Sequence, residues 1–228
     1  MRNVCREDGV ALVVSLMALL LLTAFGVVLT LATSLETMMA GNVRESQEAF
    51  YAADAGVEVA MGGLSAAGDW NAVLDGSVQS SFIDGVPTGA RTLPDGSTID
   101  LAQVASRANC RRVTTCSAGE MDMVTAERPW GANNPRWQLY AYGNLRDLVP
   151  SGGIDSPYYV IVMVADDPSE LDNDPMRDSA DLSNPGSGVL ALRAEAFGPR
   201  GTRQTITATV GRGIVAGVRV LSWHHVRE

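Results

Sequence analysis

The uncharged run from Val10 to Leu35 (VALVVSLMALLLLTAFGVVLTLATSL) decides most of what this chain can become. It is too long for the buried helix of a globular domain. It passes the roughly 18 to 20 apolar residues that cross a bilayer. Glu36 to Leu64 continues with good helix formers and no proline. Gly56 within it weakens a helix by only about 1 kcal/mol relative to alanine. Met39, Val43, Phe50, Ala53, Val57, Ala60 and Leu64 fall on one stripe, the spacing of a helix with one buried face. Read as one helix, Val10 to Leu64 is about 80 Å long at 1.5 Å per residue. Its first half is apolar all round and suits a membrane. Its second half is apolar on one side and suits packing on a domain.

Of the 228 residues, about 160 remain beyond the helix, enough for one domain with its own core. The net charge of -9 argues against binding a nucleic-acid backbone, which needs clustered basic residues. Three cysteines are present: Cys5, Cys110 and Cys116. Cys5 precedes the apolar run, where processing would remove it. Cys110 and Cys116 then remain as a pair closing a small loop, which suggests a disulfide formed in an oxidising compartment. The alternative is two free buried thiols. No second Cys or His pair has the spacing of a zinc site.

Met1 to Gly9 (MRNVCREDG) is short, polar and charged, and ends in glycine. A secretory signal has a shorter apolar core followed by a small-x-small cleavage site. Thr30 and Ala32 offer only a weak site, and the helical pattern runs past them. A plain membrane anchor is the simpler alternative.

A charged leader ending in glycine, then an apolar helix merging into an amphipathic one, resembles a type IV prepilin. More specifically, GVALVVSLMALLLLT with LETMMAGNVRESQEAFYAADAGVE is similar to the N-terminal region of PilX-type minor pilins. MAGN and AFYAADAG carry the resemblance most strongly. RPWGANNPRWQLYAYG and LALRAEAFGPRGTRQTITATVGR resemble later segments of larger proteins in that group. The resemblance implies cleavage between Gly9 and Val10 by the prepilin peptidase, and N-methylation of Val10. It implies an inner-membrane precursor in a Gram-negative bacterium, with one span and a periplasmic C-terminus, that later enters a pilus. Its implied partners are other minor and major pilins, met through the N-terminal helix, and the inner-membrane assembly platform. Most pilins carry a glutamate at the fifth mature position, thought to pair with the amine of a neighbouring subunit. Here that position is Val14, which costs nothing in hydrocarbon but gives up that contact. The tip subunit of the type II secretion pseudopilus also lacks it.

Beyond the helix, Gly62 and Gly63 begin to break it and Gly68 ends it. Asp69 to Ser106, rich in Gly, Asp, Ser and Pro, reads as a long connection with one short helix or strand. The turn chemistry of Glu127 to Pro135 surrounds Trp130. Trp137 to Tyr142 alternates as a strand. Tyr158 to Ala165 (YYVIVMVA) is continuously apolar, a central strand covered on both faces, one cover being the helix stripe. Val189 to Gly211 is a hairpin. Leu190, Leu192, Ala194 and Ala196 face one way, Arg193, Glu195 and Phe197 the other, and Gly198 to Gly201 makes the turn. Val215 to Trp223 supplies a last strand, with His224, His225 and Arg227 at an edge. The expected fold is α+β and pilin-like: a long N-terminal α-helix packed on an antiparallel β-sheet. The expected parts are a leader (1–9), an assembly half of the helix (10–35), an amphipathic half (36–64) and a globular domain (65–228).

One stretch has ligand chemistry. Asp166 to Asp181 (DDPSELDNDPMRDSAD) lies between the central strand and the hairpin, where a rigid scaffold positions loops. Asp166, Asp167, Glu170, Asp172, Asp174 and Asp178 offer hard oxygen ligands, and calcium takes six to eight of these. D-N-D resembles an EF-hand start, but Pro175 and Met176 stand where its glycine turn belongs. A solvated acidic loop is the alternative. His224 and His225 point to opposite faces of an extended segment. Gly63 to Gly68 follows a helix, so the strand-turn-helix of a nucleophile elbow is missing. No catalytic residues are expected, and no cofactor except calcium. The expected function is a structural minor pilin that primes a type IV pilus or sits at its tip. Its rivals are a tip-class type II secretion pseudopilin, a calcium-dependent adhesin displayed on the pilus, and an anchored periplasmic enzyme.

Overall fold

The computed structural model describes residues 8–126, 133–148, 153, 155–181, 183–213 and 217–226. Leader residues 1–7, the turn around Trp130, and Arg227 lie outside the described residues. Helix α1 runs from Asp8 to Ala66. The chain divides into two compact units, Met1–Arg44 and Glu45–Glu228.

The first unit is helical throughout its described length, and residues 9–40 are all exposed. Its most apolar window has a mean hydropathy of 2.8, and none of it is buried. The hydroxyls within it are satisfied locally. Ser15 donates to the Leu12 carbonyl, Thr23 to Leu20, Thr30 to Gly26, and Ser34 to Thr30. Past its first turn, the backbone N–H groups of such a helix are paired inside the helix, as hydrocarbon requires.

In the second unit, five strands form one antiparallel sheet in chain order: β3 (Gln138–Asn144), β4 (Tyr159–Asp166), β5 (Val189–Phe197), β6 (Arg203–Arg212) and β7 (Val218–Val226). The C-terminal part of α1 lies on one face. Ala49, Ala52, Ala53, Val57, Ala60 and Leu64 are buried in a core with Val160, Val162, Val164, Leu192, Ala194 and Ile206. These helix residues recur at the helical period, so one side of the helix enters the core. Most of them are small, which brings the helix backbone close to the sheet. At Gly56 an added Cβ would sit 2.6 Å from Val160 Cγ1 and 3.1 Å from Val162 Cγ2. The stripe read from sequence therefore holds from Phe50 onward. Met39 and Val43 are exposed.

The other face of the sheet has its own cover. Tyr159, Ile161 and Met163 of β4 pack with Leu101 and Val104 of α3 (Leu101–Cys110). With covers on both faces, every residue of β4 is buried, as its continuous apolar run anticipates.

The connection expected over Asp69 to Ser106 is more regular than its composition suggests. It contains α2 (Asn71–Leu74) and a hairpin of β1 (Ala90–Thr92) with β2 (Thr98–Asp100), and it leads into α3. The Asp100 carboxylate accepts the Gln103 N–H at 2.9 Å and caps α3. Leu101 and Val104 then give α3 a face to bury. Helix α4 (Ala118–Ala126) was not read from sequence at all. Its signal is a capping box: Ser117 N–H donates to Glu120 Oε2 at 2.9 Å, and Glu120 N–H donates to Ser117 Oγ at 3.3 Å. Cys110 and Cys116 are joined in a disulfide between α3 and α4.

Two strand details also differ from the sequence reading. Glu195, placed there opposite the core face of β5, is fully buried because that face is covered too. Arg193 Nε and Arg203 Nη2 each approach its carboxylate at 2.7 Å. The histidines form part of β7 itself, and His225 Nε2 lies 2.6 Å from Gln204 Oε1.

The packing at Gly56 yields a test. Gly56→Leu should lower stability by about 1–3 kcal/mol or more through overpacking. Gly62→Ala, where a Cβ meets nothing within 4 Å, should be neutral or stabilise by up to about 1 kcal/mol. Thermal melts of the two variants beside the parent check both signs.

Candidate functional site

Two regions have surfaces that packing in a single chain does not explain. The first is the apolar half of α1. Gly9 and Val10 are exposed at its start, Val14 is 60% exposed, and Leu12, Leu16, Leu20 and Leu29 are as open. A run this apolar and this exposed needs a non-aqueous neighbour, either lipid or other helices.

The second is the segment between β4 and β5. Asp166 ends β4, and the chain returns through Glu170 and Asp178 before β5. One carboxylate oxygen each of Asp166, Glu170 and Asp178 lies within 4.8 Å of the other two. Asp166 and Glu170 are each only 1% exposed. Backbone donors hold two of the three in place. Ser179 N–H points at both Glu170 oxygens at 3.2 Å, and Gly188 N–H donates to Asp178 Oδ1 at 2.6 Å. Asn71 Oδ1 accepts the Asp178 N–H at 2.9 Å, tying the segment to α2. Gly186 lies so close to Glu170 that a Cβ there would run into the Glu170 side chain. Asn133 Nδ2 donates to the Glu170 carbonyl.

The positive charge near this cluster sits at its margin. Arg212 Nε is 4.0 Å from Asp178 Oδ2, and its guanidinium lies over the Trp70 ring at 4.2 Å from the centroid. Burial pushes the Asp166 carboxyl up to about 8, with the charges of Glu170, Asp178 and Asp172 adding to the shift. Burial likewise pushes Glu170 up to about 7, with Asp172 and Asp178 adding to it. Asp178 is raised by burial too, against the opposing Gly188 N–H and Arg212. Three carboxylates packed this closely away from water are not stable as three bare anions.

The structure therefore gathers three of the six acidic residues singled out in the sequence and leaves three outside the group. Asp167, Asp172 and Asp174 serve their own turns. Their Oδ1 atoms accept the N–H groups of Ser169, Asp174 and Met176 at 3.0, 3.0 and 3.2 Å. Asp172 also lies near enough to influence Glu170. Asn173, at φ 62, supplies the left-handed turn conformation. Sequence reading missed Arg212, Asn71 and Gly186, which reach the site from β6, α2 and the far end of the loop. No local pattern marks them.

A separate cleft of about 360 Å³ lies beside the disulfide, lined by Ala102, Ala105, Asn109, Cys116, Met121 and Trp137 among others. Among the described residues, no carboxylate, imidazole or free thiol lines it.

Residues 8–58 match the family model described as PilX N-terminal. Neither a curated protein nor a solved structure matches the chain.

The carboxyl cluster predicts a pH dependence. Folding raises these acid groups, so between the ordinary carboxylate range and about pH 8 the folded chain binds more protons than the unfolded chain. Stability of chelator-treated protein should therefore be highest near the acid end of that window and fall as pH rises through it. Asp166→Asn should flatten this slope, because the group with the largest upward shift, facing Glu170, Asp172 and Asp178, no longer titrates. Denaturant melts at stepped pH check this.

Proposed function

We propose that this chain, whose residues 8–58 match the PilX N-terminal family model, is a minor pilin that primes assembly of a type IV pilus or sits at its tip. The observation that carries this reading is the first half of α1: apolar on all sides, uncharged from Val10 to Leu35, and exposed along its length. In the precursor this segment spans the inner membrane, with the globular domain in the periplasm. Cleavage after Gly9 frees Val10, which is then methylated. The helix next leaves lipid for a bundle of equivalent helices. Neither setting exposes its apolar surface to water, so the transfer costs little.

Val14 supports a low-copy position. A fibre subunit with a carboxylate there would gain a charge pair with its neighbour, and this chain forgoes it. A subunit that starts or caps the fibre has fewer neighbours and loses less. The disulfide Cys110–Cys116 accords with an oxidising compartment. Between α1 and β3 the described helices are short: α2 of four residues, α3 of ten and α4 of nine. That favours a pilus subunit over the tip-class secretion pseudopilin, which usually carries a large helical insertion.

The test is the mass of the mature N-terminal peptide from membranes, together with pilus counts. The parent chain should begin at methylated Val10. Gly9→Val should leave the leader attached and cut surface pili as deeply as deleting the gene, with type II secretion unchanged. A parent chain that still begins at Met1 overturns the pilin reading. A secretion defect with normal pili assigns the chain to the pseudopilus.

A further inference from the structure

The β4–β5 segment holds more than its fold requires. We propose that Asp166, Glu170 and Asp178 bind a divalent oxygen-seeking cation of the calcium class, which fastens this segment to the end of β4. This goes beyond the assembly role of the helix and does not depend on it.

The spacing of the oxygens fits. Calcium holds oxygen ligands at about 2.3–2.6 Å, so ligands on opposite sides of the ion lie about 4.6–5.2 Å apart and adjacent ones lie closer. The three carboxylates each place one oxygen within 4.8 Å of the other two, which is the envelope of such a shell. All donors are carboxylates; no histidine or free cysteine belongs to the group, so the chemistry suits a hard cation and not zinc.

A separate observation points to a missing ligand. Asp166 is 1% exposed, and its Oδ1 has no hydrogen-bond partner among the described residues. A buried carboxylate oxygen with no donor of its own, on a side chain that shares a cluster with two other carboxylates, is satisfied by a cation or a proton. Arg212 does not fill this role. It meets Asp178 at 4.0 Å on the outer side and is held over Trp70.

The ligands are also positioned in advance. Asp166 is fixed as the last residue of a fully buried strand. Glu170 is held by Ser179 N–H and backed by Gly186, and Asp178 is held by Gly188 N–H. An ion on these three side chains joins the end of β4 to both halves of the returning segment. Water completes the coordination, because three carboxylates alone do not supply every position calcium takes.

The experiment uses the full chain, purified in detergent and treated with chelator. Calcium is added at constant ionic strength, and binding calorimetry and thermal melts are recorded. The expected result is saturable binding and a melting temperature that climbs with calcium concentration, as ligand linkage requires. Glu170→Gln and Asp166→Asn should each weaken calcium binding by about tenfold or more. Both remove repulsion among buried charges, so the calcium-free variants should fold at least as stably as the parent. Asp174→Asn, at an exposed turn residue, should leave binding unchanged. No heat of binding and no shift at millimolar calcium in the parent overturns the proposal. So does a calcium shift that persists undiminished in Glu170→Gln and Asp166→Asn, or one that magnesium reproduces at equal concentration.

Discussion

The close approach of α1 to β4 is the constraint on which the second unit is built. Ala49, Ala52, Ala53 and Ala60 present almost no side chain to the sheet, and Gly56 presents none. The bulk at this interface comes from the other side, from the β-branched Val160, Val162 and Val164. Small residues on the helix and branched residues on the strand fill the layer without voids, which dense packing of a core demands. Leu64 and Trp70 close its lower end. Trp70 is buried and its indole N–H donates to the Leu64 carbonyl at 3.2 Å, so the helix end is tied into the same core.

Once β4 is committed to the helix on one face, its alternate residues must find cover on the other. Tyr159, Ile161 and Met163 find it under α3 and the β1–β2 hairpin. Tyr142 and Tyr159 keep their hydroxyls at the rim, where they donate to the Gly85 carbonyl at 2.8 Å and to Asp84 Oδ2 at 3.3 Å. The same double cover buries Glu195, whose charge is matched by Arg193 and Arg203 on its own hairpin. Asp166, buried at the end of β4, has no ion pair among the described residues and leaves Oδ1 without a hydrogen-bond partner there. The strand that is most thoroughly buried thus ends in a carboxylate, and the loop that follows brings two more to it.

The two surfaces with unmet demands are of opposite kinds. The first half of α1 is apolar and exposed to its surroundings; the β4–β5 segment is predominantly anionic, and Asp166 Oδ1 within its cluster has no hydrogen-bond partner among the described residues. A membrane, or a bundle of like helices, answers the first. A hard cation answers the second. Each lies in its own compact unit, and so the two can be satisfied by different partners at different stages of the protein's life.

The sequence by itself determined the long helix, its apolar first half, the central strand and the final hairpin. Those features repeat at a fixed local period, 3.6 residues for a helix and two for a strand, so nearby residues suffice to reveal them. Tertiary packing alone settles that Met39 and Val43 lie outside the buried stripe, that Leu101–Cys110 forms a helix across the second face of the sheet, and that Glu195 is buried between arginines. The acidic stretch was visible as composition, but which of its residues converge was not. Asp167 and Asp166 are neighbours in the chain, yet one caps a turn and the other sits in the core. Their difference arises from where β4 ends, while Asn71 and Arg212, distant in sequence, meet Asp178 and Gly186 backs Glu170. Burial is set by what packs on a residue from elsewhere in the chain, and no local pattern carries that information.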